Sequence, residues 1–218
     1  MLLDYLIYII IFAIVMISIN LIRTNLRNFR YADILRTLFF YMPFLLPMVY
    51  YGIPPLRIAI TLNYFIGLIL AIGGTVIGLI LQYEKIKPFF SKELYELLPP
   101  LSYKWFLIIE ISLFASVICE EIFYRYYLPE SNTIIDYIIC GVLFSLAHFI
   151  DKYTRSEFTL KSYSILFFLS ICWLLSFKVT HSILPAMLGH LLYNLPRALS
   201  TLYQYRMSSK KKSIELSS

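Results

Sequence analysis

The sequence predicts an all-α fold, a polytopic membrane helix bundle of about seven transmembrane helices, and three observations carry that prediction. The chain of 218 residues is 60% hydrophobic and only 15% charged, with a mean hydropathy of +0.74, whereas a soluble domain carries about 25% charged residues. Its apolar residues gather into seven runs near the ~20 residues that a helix needs to cross about 30 Å of hydrocarbon. Its basic residues fall between those runs, where they orient a membrane protein. This composition excludes a disordered or collagen-like chain and fits an ordinary cytosolic enzyme poorly. A net charge of +6 in a soluble protein would suggest nucleic acid. Here the placement of the basic residues assigns them to the bilayer, and no nucleic-acid partner is expected.

The runs are residues 2–22, 32–51, 58–82, 105–127, 133–150, 162–177 and 182–203. The first is not a cleavable signal peptide, having no basic residue before it and no small-x-small site after it. The third holds Gly67, Gly73, Gly74 and Gly78, and small residues let helices approach closely, so it is predicted to be well packed inside the bundle. The sixth is short, and Trp173 near its end suits the membrane interface. Pro54, Pro55, Pro99 and Pro100 mark loops. Residues 84–104 form the longest polar connection and are expected to carry a short surface helix. Cys119, Cys140 and Cys172 all sit in apolar runs without metal-finger spacing and read as small core residues. The chain is read as one integral membrane domain, 1–218. Within it lie a motif-bearing core, 105–203, and a basic cytoplasmic tail, 204–218, whose Lys210, Lys211 and Lys212 would touch anionic lipid.

With seven crossings, the odd-numbered loops and the C-terminal tail share one side. They hold fourteen of the basic residues, among them Arg23, Arg27, Arg30, Lys85, Lys104 and Arg155. The opposite side holds three: Arg57, Lys178 and, at a helix end, Arg125. Arg36 and Arg197 fall inside spans. This asymmetry places the N-terminus outside and the C-terminus in the cytoplasm of a multi-pass protein of the cell membrane. The alternative, an eight-helix version with a further crossing in 84–104, breaks the alternation.

Ionisable groups inside membrane spans are expensive and are usually kept for function. Here they cluster in the second half: Glu110, Glu120, Glu121 and Arg125 in run four, Asp136 and His148 in run five, and His190, Asn194 and Arg197 in run seven. Glu121 and Arg125 are four residues apart and share a helix face, as do Phe144 with His148 and His190 with Asn194. Glu120 lies about 100° around the helix from Glu121. Measured from the turns near 130–132 and 179–181, Glu120 lies roughly 14 Å deep, His190 roughly 14 Å, Asn194 roughly 20 Å and His148 roughly 22 Å. Tilt absorbs such differences, so these groups can meet in one intramembrane cavity. Taken singly they have plainer readings. Glu121–Arg125 reads as a structural ion pair, Glu110 and His181 as interfacial groups, and Arg197 as a snorkelling side chain. One carboxylate, two imidazoles and one amide at matched depth are hard to justify as packing.

In order along the chain, Glu120-Glu121-Ile122-Phe123-Tyr124-Arg125 reads EExxxR, Phe144-Ser145-Leu146-Ala147-His148 reads FxxxH, and His190-Leu191-Leu192-Tyr193-Asn194 reads HxxxN. This ordered triple resembles the CPBP family of intramembrane endopeptidases, the CAAX-protease and bacteriocin-processing (Abi) proteins, over about residues 105–203. Tyr126 follows Arg125 where that family usually has glycine. The resemblance implies glutamate-dependent peptide hydrolysis with no covalent intermediate, on a peptide or protein substrate at the bilayer.

The residues fit that chemistry on their own terms. Glu120, with His148, could take a proton from a water attacking the scissile carbonyl. Asn194 and His190 suit the oxyanion. Glu121 paired with Arg125, with Phe144 beside them in the second motif, would support Glu120. No cofactor is expected. Two histidines and one glutamate are also a zinc set, but no HExxH is present and the ligands would come from three helices, so zinc is disfavoured. A non-catalytic immunity or scaffold protein is the alternative from another class. A transporter is disfavoured by the lack of internal repeats. Neither the substrate nor the oligomeric state is legible.

Overall fold

The computed structural model describes residues 2–25, 32–58, 61–131, 133–150 and 152–215. Arg27, Arg30 and 216–218 lie outside the described residues, as do the side chains of Arg23, Arg36, Lys152, Lys211 and Lys212. All elements among the described residues are helical: α1 (Leu2–Asn25), α2 (Ala32–Leu45), α3 (Met48–Tyr51), α4 (Leu62–Leu81), α5 (Tyr83–Ile86), a 3-10 turn (Lys87–Phe90), α6 (Lys92–Leu97), α7 (Tyr103–Glu121), a π-helical turn (Ile122–Tyr126), α8 (Ile134–Ile150), α9 (Lys152–Glu157), α10 (Leu160–Thr180) and α11 (Leu184–Glu215). Each of the seven apolar runs thus contains a helix.

Three of these helices, α1, α4 and α10, are long and apolar enough to cross a membrane, and α8 is a shorter apolar helix. α7 carries Lys104 and Glu110 besides the motif carboxylates Glu120 and Glu121, and α11 is charged only beyond its motif, from Arg197 onward. The second run does not form one continuous helix. Its helix breaks at Leu46 and Pro47, because a proline removes the backbone donor and disfavours helix in the residue before it. The starts are set by hydroxyl caps. Thr61, Ser91 and Ser102 accept from the backbone N–H three residues on, and Thr159 with Ser162 forms a reciprocal capping box at α10.

The glycines of α4 behave as the spacing predicts, with one exception. Gly67, Gly74 and Gly78 are buried in α4. A Cβ on Gly74 would come within 2.7 Å of Cys172 Sγ on α10. Gly73 faces open space, with nothing within 4 Å. The absent Cβ atoms bring backbone carbonyls within reach of side-chain donors. Ser176 Oγ donates to Gly67 O at 2.7 Å and Thr75 Oγ1 to Gly189 O at 2.9 Å. On the other flank α1 and α2 pack on the end of α7: Tyr8 stacks on Phe123 at 5.4 Å, and Phe44 meets it edge-on at 5.5 Å. Outward-facing Leu, Ile and Phe along α1 and α4 remain exposed, as helices bathed in lipid require.

Polar contacts collect at the two ends. At one end Asp136, at the start of α8, accepts from Tyr5 of α1 and Ser131, and pairs with Lys178 of α10. At the other, Lys85 donates to Glu157 O at 3.0 Å and Ser162 Oγ at 2.8 Å. There α5, the 3-10 turn and α6 form the expected short helical structure in 84–104. It lies against the far half of α11, with Tyr95 bonded to Ser200 at 2.9 Å and Gln204 to Pro99 O at 2.9 Å. His181 does not begin a helix. It closes α10 in the left-handed region, φ 47°.

Candidate active site

The first motif sits where α7 changes its hydrogen-bonding period. After Glu121 the chain runs through the π turn, with Tyr127 N bonded to Ile122 O at 3.3 Å, five residues back. Such insertions occur frequently at functional sites. Glu121 and Arg125 are both buried among aromatic rings. Arg125 Nη2 donates to Glu121 Oε1 at 3.3 Å. Its Nε lies 3.2 Å from Oε2 as an ion pair, off the angle of a hydrogen bond.

Three aromatic faces surround the guanidinium: Phe144 at 5.1 Å, Trp173 at 5.7 Å and Tyr124 at 5.9 Å. Its remaining edge meets Cys140 Sγ at 3.2 Å, and that sulfur also lies 3.1 Å from Tyr124 O and 3.3 Å from Ser170 Oγ. A buried guanidinium needs both a counter-charge and polarisable neighbours, and this set supplies them. Cys140 is therefore not simply an apolar filler. Arg125, only 1% exposed, is an interior charge, so it drops out of the basic residues assigned to the outer surface.

The third motif joins the first. His190 Nδ1 lies 2.8 Å from Glu121 Oε1, a contact that sequence spacing could not show. The imidazole stacks on Trp173 at 4.6 Å and 16° and meets the edge of Phe144 at 6.0 Å. Trp173 is 0% exposed and donates from Nε1 to Thr75 Oγ1 at 3.2 Å. The interfacial reading of Trp173 is thus wrong. Its place near the end of an apolar run suggested the interface, but the helix runs on to Thr180, which sets Trp173 two turns inside it. Gly189 makes room for it, since a Cβ there would lie 2.7 Å from Trp173 Nε1 and 2.9 Å from Ala71 O. A glycine next to the motif histidine was the available signal.

The second motif completes the group through Phe144, which contacts Arg125, His190, Trp173 and His148 at once. His148 lies 4.9 Å from the Phe144 ring and stacks parallel to Phe158 at 6.2 Å. Its Nδ1 is 2.9 Å from Phe144 O. In a neutral ring that makes Nδ1 the donor and Nε2 the acceptor.

Glu120 is half buried, and its Oε2 is buried without a hydrogen bond. Asn194, also half buried, follows His190 by one turn of α11. Glu110, expected at the interface, has a buried Oε1 without a hydrogen-bond partner, whereas Arg197 is exposed. Among the described residues no three of His, Cys, Asp and Glu come together as a metal-ligand group. Glu121 and His190 are engaged with each other, and Glu121 also with Arg125. A separate cleft of about 340 Å³ opens at the Asp136 end, lined by Asp4, Tyr8, Tyr51, Tyr126, Tyr127 and Glu130 among others. The motif carboxylates do not line it.

Residues 102–196 match the family model described as type II CAAX prenyl endopeptidase, Rce1-like. No curated protein and no solved structure matches the chain. The matched segment contains all three motifs and the Trp173–His190 stack. Over residues 102–196 the chain is similar to the Rce1-like CAAX endopeptidases, in agreement with the resemblance of its three motifs.

Proposed function

We propose that the protein is an intramembrane endopeptidase in which Glu120 activates the water that attacks a peptide bond. The observation that best supports this reading is the 2.8 Å contact between His190 and Glu121. It ties the EExxxR helix to the HxxxN helix, with Phe144 of the FxxxH helix wedged against both. Glu121 is committed to Arg125 and His190. That leaves Glu120 as the carboxylate of the pair with an oxygen to offer.

In this reading Glu120 takes a proton from water while His148, held through Nδ1, presents Nε2 beside it. The attack generates an oxyanion, which the Asn194 amide and His190 stabilise. Because His190 donates from Nδ1 to Glu121, it can offer a second N–H from Nε2 only when protonated. With Glu120 protonated, the charges of Glu121, Arg125, that imidazolium and the oxyanion then balance within the membrane. Arg125 and Glu121 hold the framework and touch no reacting atom. Proton return to the leaving amine from Glu120 completes the cycle.

The substrate class follows the family: a CAAX-type prenylated tail, with an unmodified peptide precursor as the second class to test. The experiment is cleavage of both peptide types by purified protein in liposomes. Glu120→Gln keeps the size and removes the base, so turnover should fall by at least ~10²-fold. Asn194→Ala should cost about 10²–10³-fold as the loss of one oxyanion donor. If Glu120→Gln keeps full activity, the reading fails, and a non-catalytic scaffold or immunity role replaces it.

A further inference from the structure

Glu120 Oε2 and the hydroxyl of Tyr124 are buried at this site without a hydrogen-bond partner among the described residues; Glu121 Oε2 and Arg125 Nε lack one too but face each other as an ion pair. Tyr124 is 0% exposed. Its ring is enclosed by Phe123 at 5.1 Å, Phe144 at 5.2 Å, Phe44 at 6.1 Å and Phe12 at 6.4 Å. A phenylalanine would fill that aromatic cage equally well. The hydroxyl is therefore unexplained by packing, and burying it unpaired is unfavourable.

The helix itself offers the partner. Tyr124 follows Glu120 by four residues across the start of the π turn, close to one helical turn on, and helical side chains lean back toward the preceding turn, which carries the Tyr124 ring toward Glu120. Of the charges around the Tyr124 hydroxyl, Glu120 acts on it most strongly. The other candidates are occupied. Glu121 Oε1 is taken by Arg125 and His190 and its Oε2 faces Arg125 Nε at 3.2 Å as an ion pair, and Tyr8 donates to Phe123 O at 3.0 Å. A phenol is a donor and a carboxylate an acceptor, so the two unpaired atoms are complementary.

We propose that Tyr124 is a positioning residue for Glu120: its hydroxyl donates to Oε2, directly or through one water, and turns the other carboxylate oxygen toward the attacking water. This rests on the reading of Glu120 as the base. It names a residue that the three motifs leave unassigned.

The test is infrared difference spectroscopy on the full chain in liposomes. Wild type minus Tyr124→Phe isolates the phenol C–O stretch of Tyr124, a band that reports hydrogen bonding. The same difference taken in a Glu120→Leu background should show the band shifted to the position of a phenol without that acceptor. Glu120→Gln, a weaker acceptor that keeps the volume, should shift it less and serves if the leucine variant does not fold. The band of Tyr8, isolated with Tyr8→Phe, should not respond to either change. A Tyr124 band unmoved by Glu120 substitution overturns the proposal.

On a cleaved peptide, Tyr124→Phe should lower kcat about ten- to a hundredfold with KM unchanged, the effect of one hydrogen bond to a charged group. An inactive Glu120→Gln with a silent Tyr124 band removes the positioning role alone. An active Glu120→Gln removes the hydrolase reading, and the band then decides the Tyr124–Glu120 bond by itself.

Discussion

Glu120 and Glu121 are neighbours in sequence with opposite circumstances. Glu121 is wholly buried and has two cationic or donor partners, Arg125 and His190. Glu120 stands at the edge of the same group with Oε2 unpaired. Removing the Glu121 charge therefore does something different from removing that of Glu120. Glu121→Gln strands Arg125 among aromatic rings without a counter-ion, and breaking a buried pair costs about 3–5 kcal/mol. Thermal unfolding in detergent should show Glu121→Gln melting well below wild type and expressing poorly, while Glu120→Gln melts close to it. Equal melting temperatures for all three would mean that Arg125 does not depend on Glu121. The two adjacent carboxylates were legible as a motif. The i, i+4 spacing also paired Glu121 with Arg125, but its second partner, His190, was not legible, because it lies 69 residues away.

At the scale of elements, α4, α10 and α11 form the frame on which His190 is held. Small residues on α4 let its backbone close on Ser176 and on the Gly189 carbonyl, and Trp173 fills the space over Gly189. A Cβ at Gly189 would press on Trp173 Nε1 and on the backbone of Ala71 at once. Overpacking of this kind costs about 1–3 kcal/mol. Gly189→Ala should lower thermal stability and shift the fluorescence of Trp173. Gly73→Ala, which meets open space, should leave both unchanged. An unperturbed Gly189→Ala protein would show that α11 can move away from α4 without cost. The close packing of α4 was readable from its glycines. The role of Trp173 was not, since distance from a helix end says nothing about which neighbouring helix covers the ring.

For the molecule as a whole, three helices are long and apolar enough to cross a membrane, and residues 102–196 are similar to the CAAX endopeptidases. Seven crossings with the N-terminus outside are the arrangement that we propose from the positions of the basic residues. The ends of the bundle fit it. Tyr5 of α1 shares a polar cluster with Ser131, Asp136 and Lys178 at one end, so the start of α1 lies beside the start of α8 and the end of α10. Lys85, Glu157 and the far half of α11 lie at the other. A reporter fused to the C-terminus should be active in the cytoplasm, and one inserted near Pro129 should be active outside. The reverse pattern would overturn the orientation and the depth order drawn from it.

Composition and periodicity were enough to make the chain helical and apolar, and motif spacing was enough to nominate the residues of the site. Both are local properties, carried by stretches of a few turns. Nothing local could pair Glu121 with His190, seat Arg125 between Phe144, Trp173 and Tyr124, or turn Cys140 into a partner of a buried cation. Apart from that of Tyr124, those contacts join residues on different elements, and they exist only because α7 with its π turn, α8, α10 and α11 meet. The physical reason is the cost of a buried charge. One helical segment supplies the Glu121–Arg125 pair, but its remaining partners come from other helices, so the full assignment of each ionisable residue to structure or to chemistry is made where the helices meet.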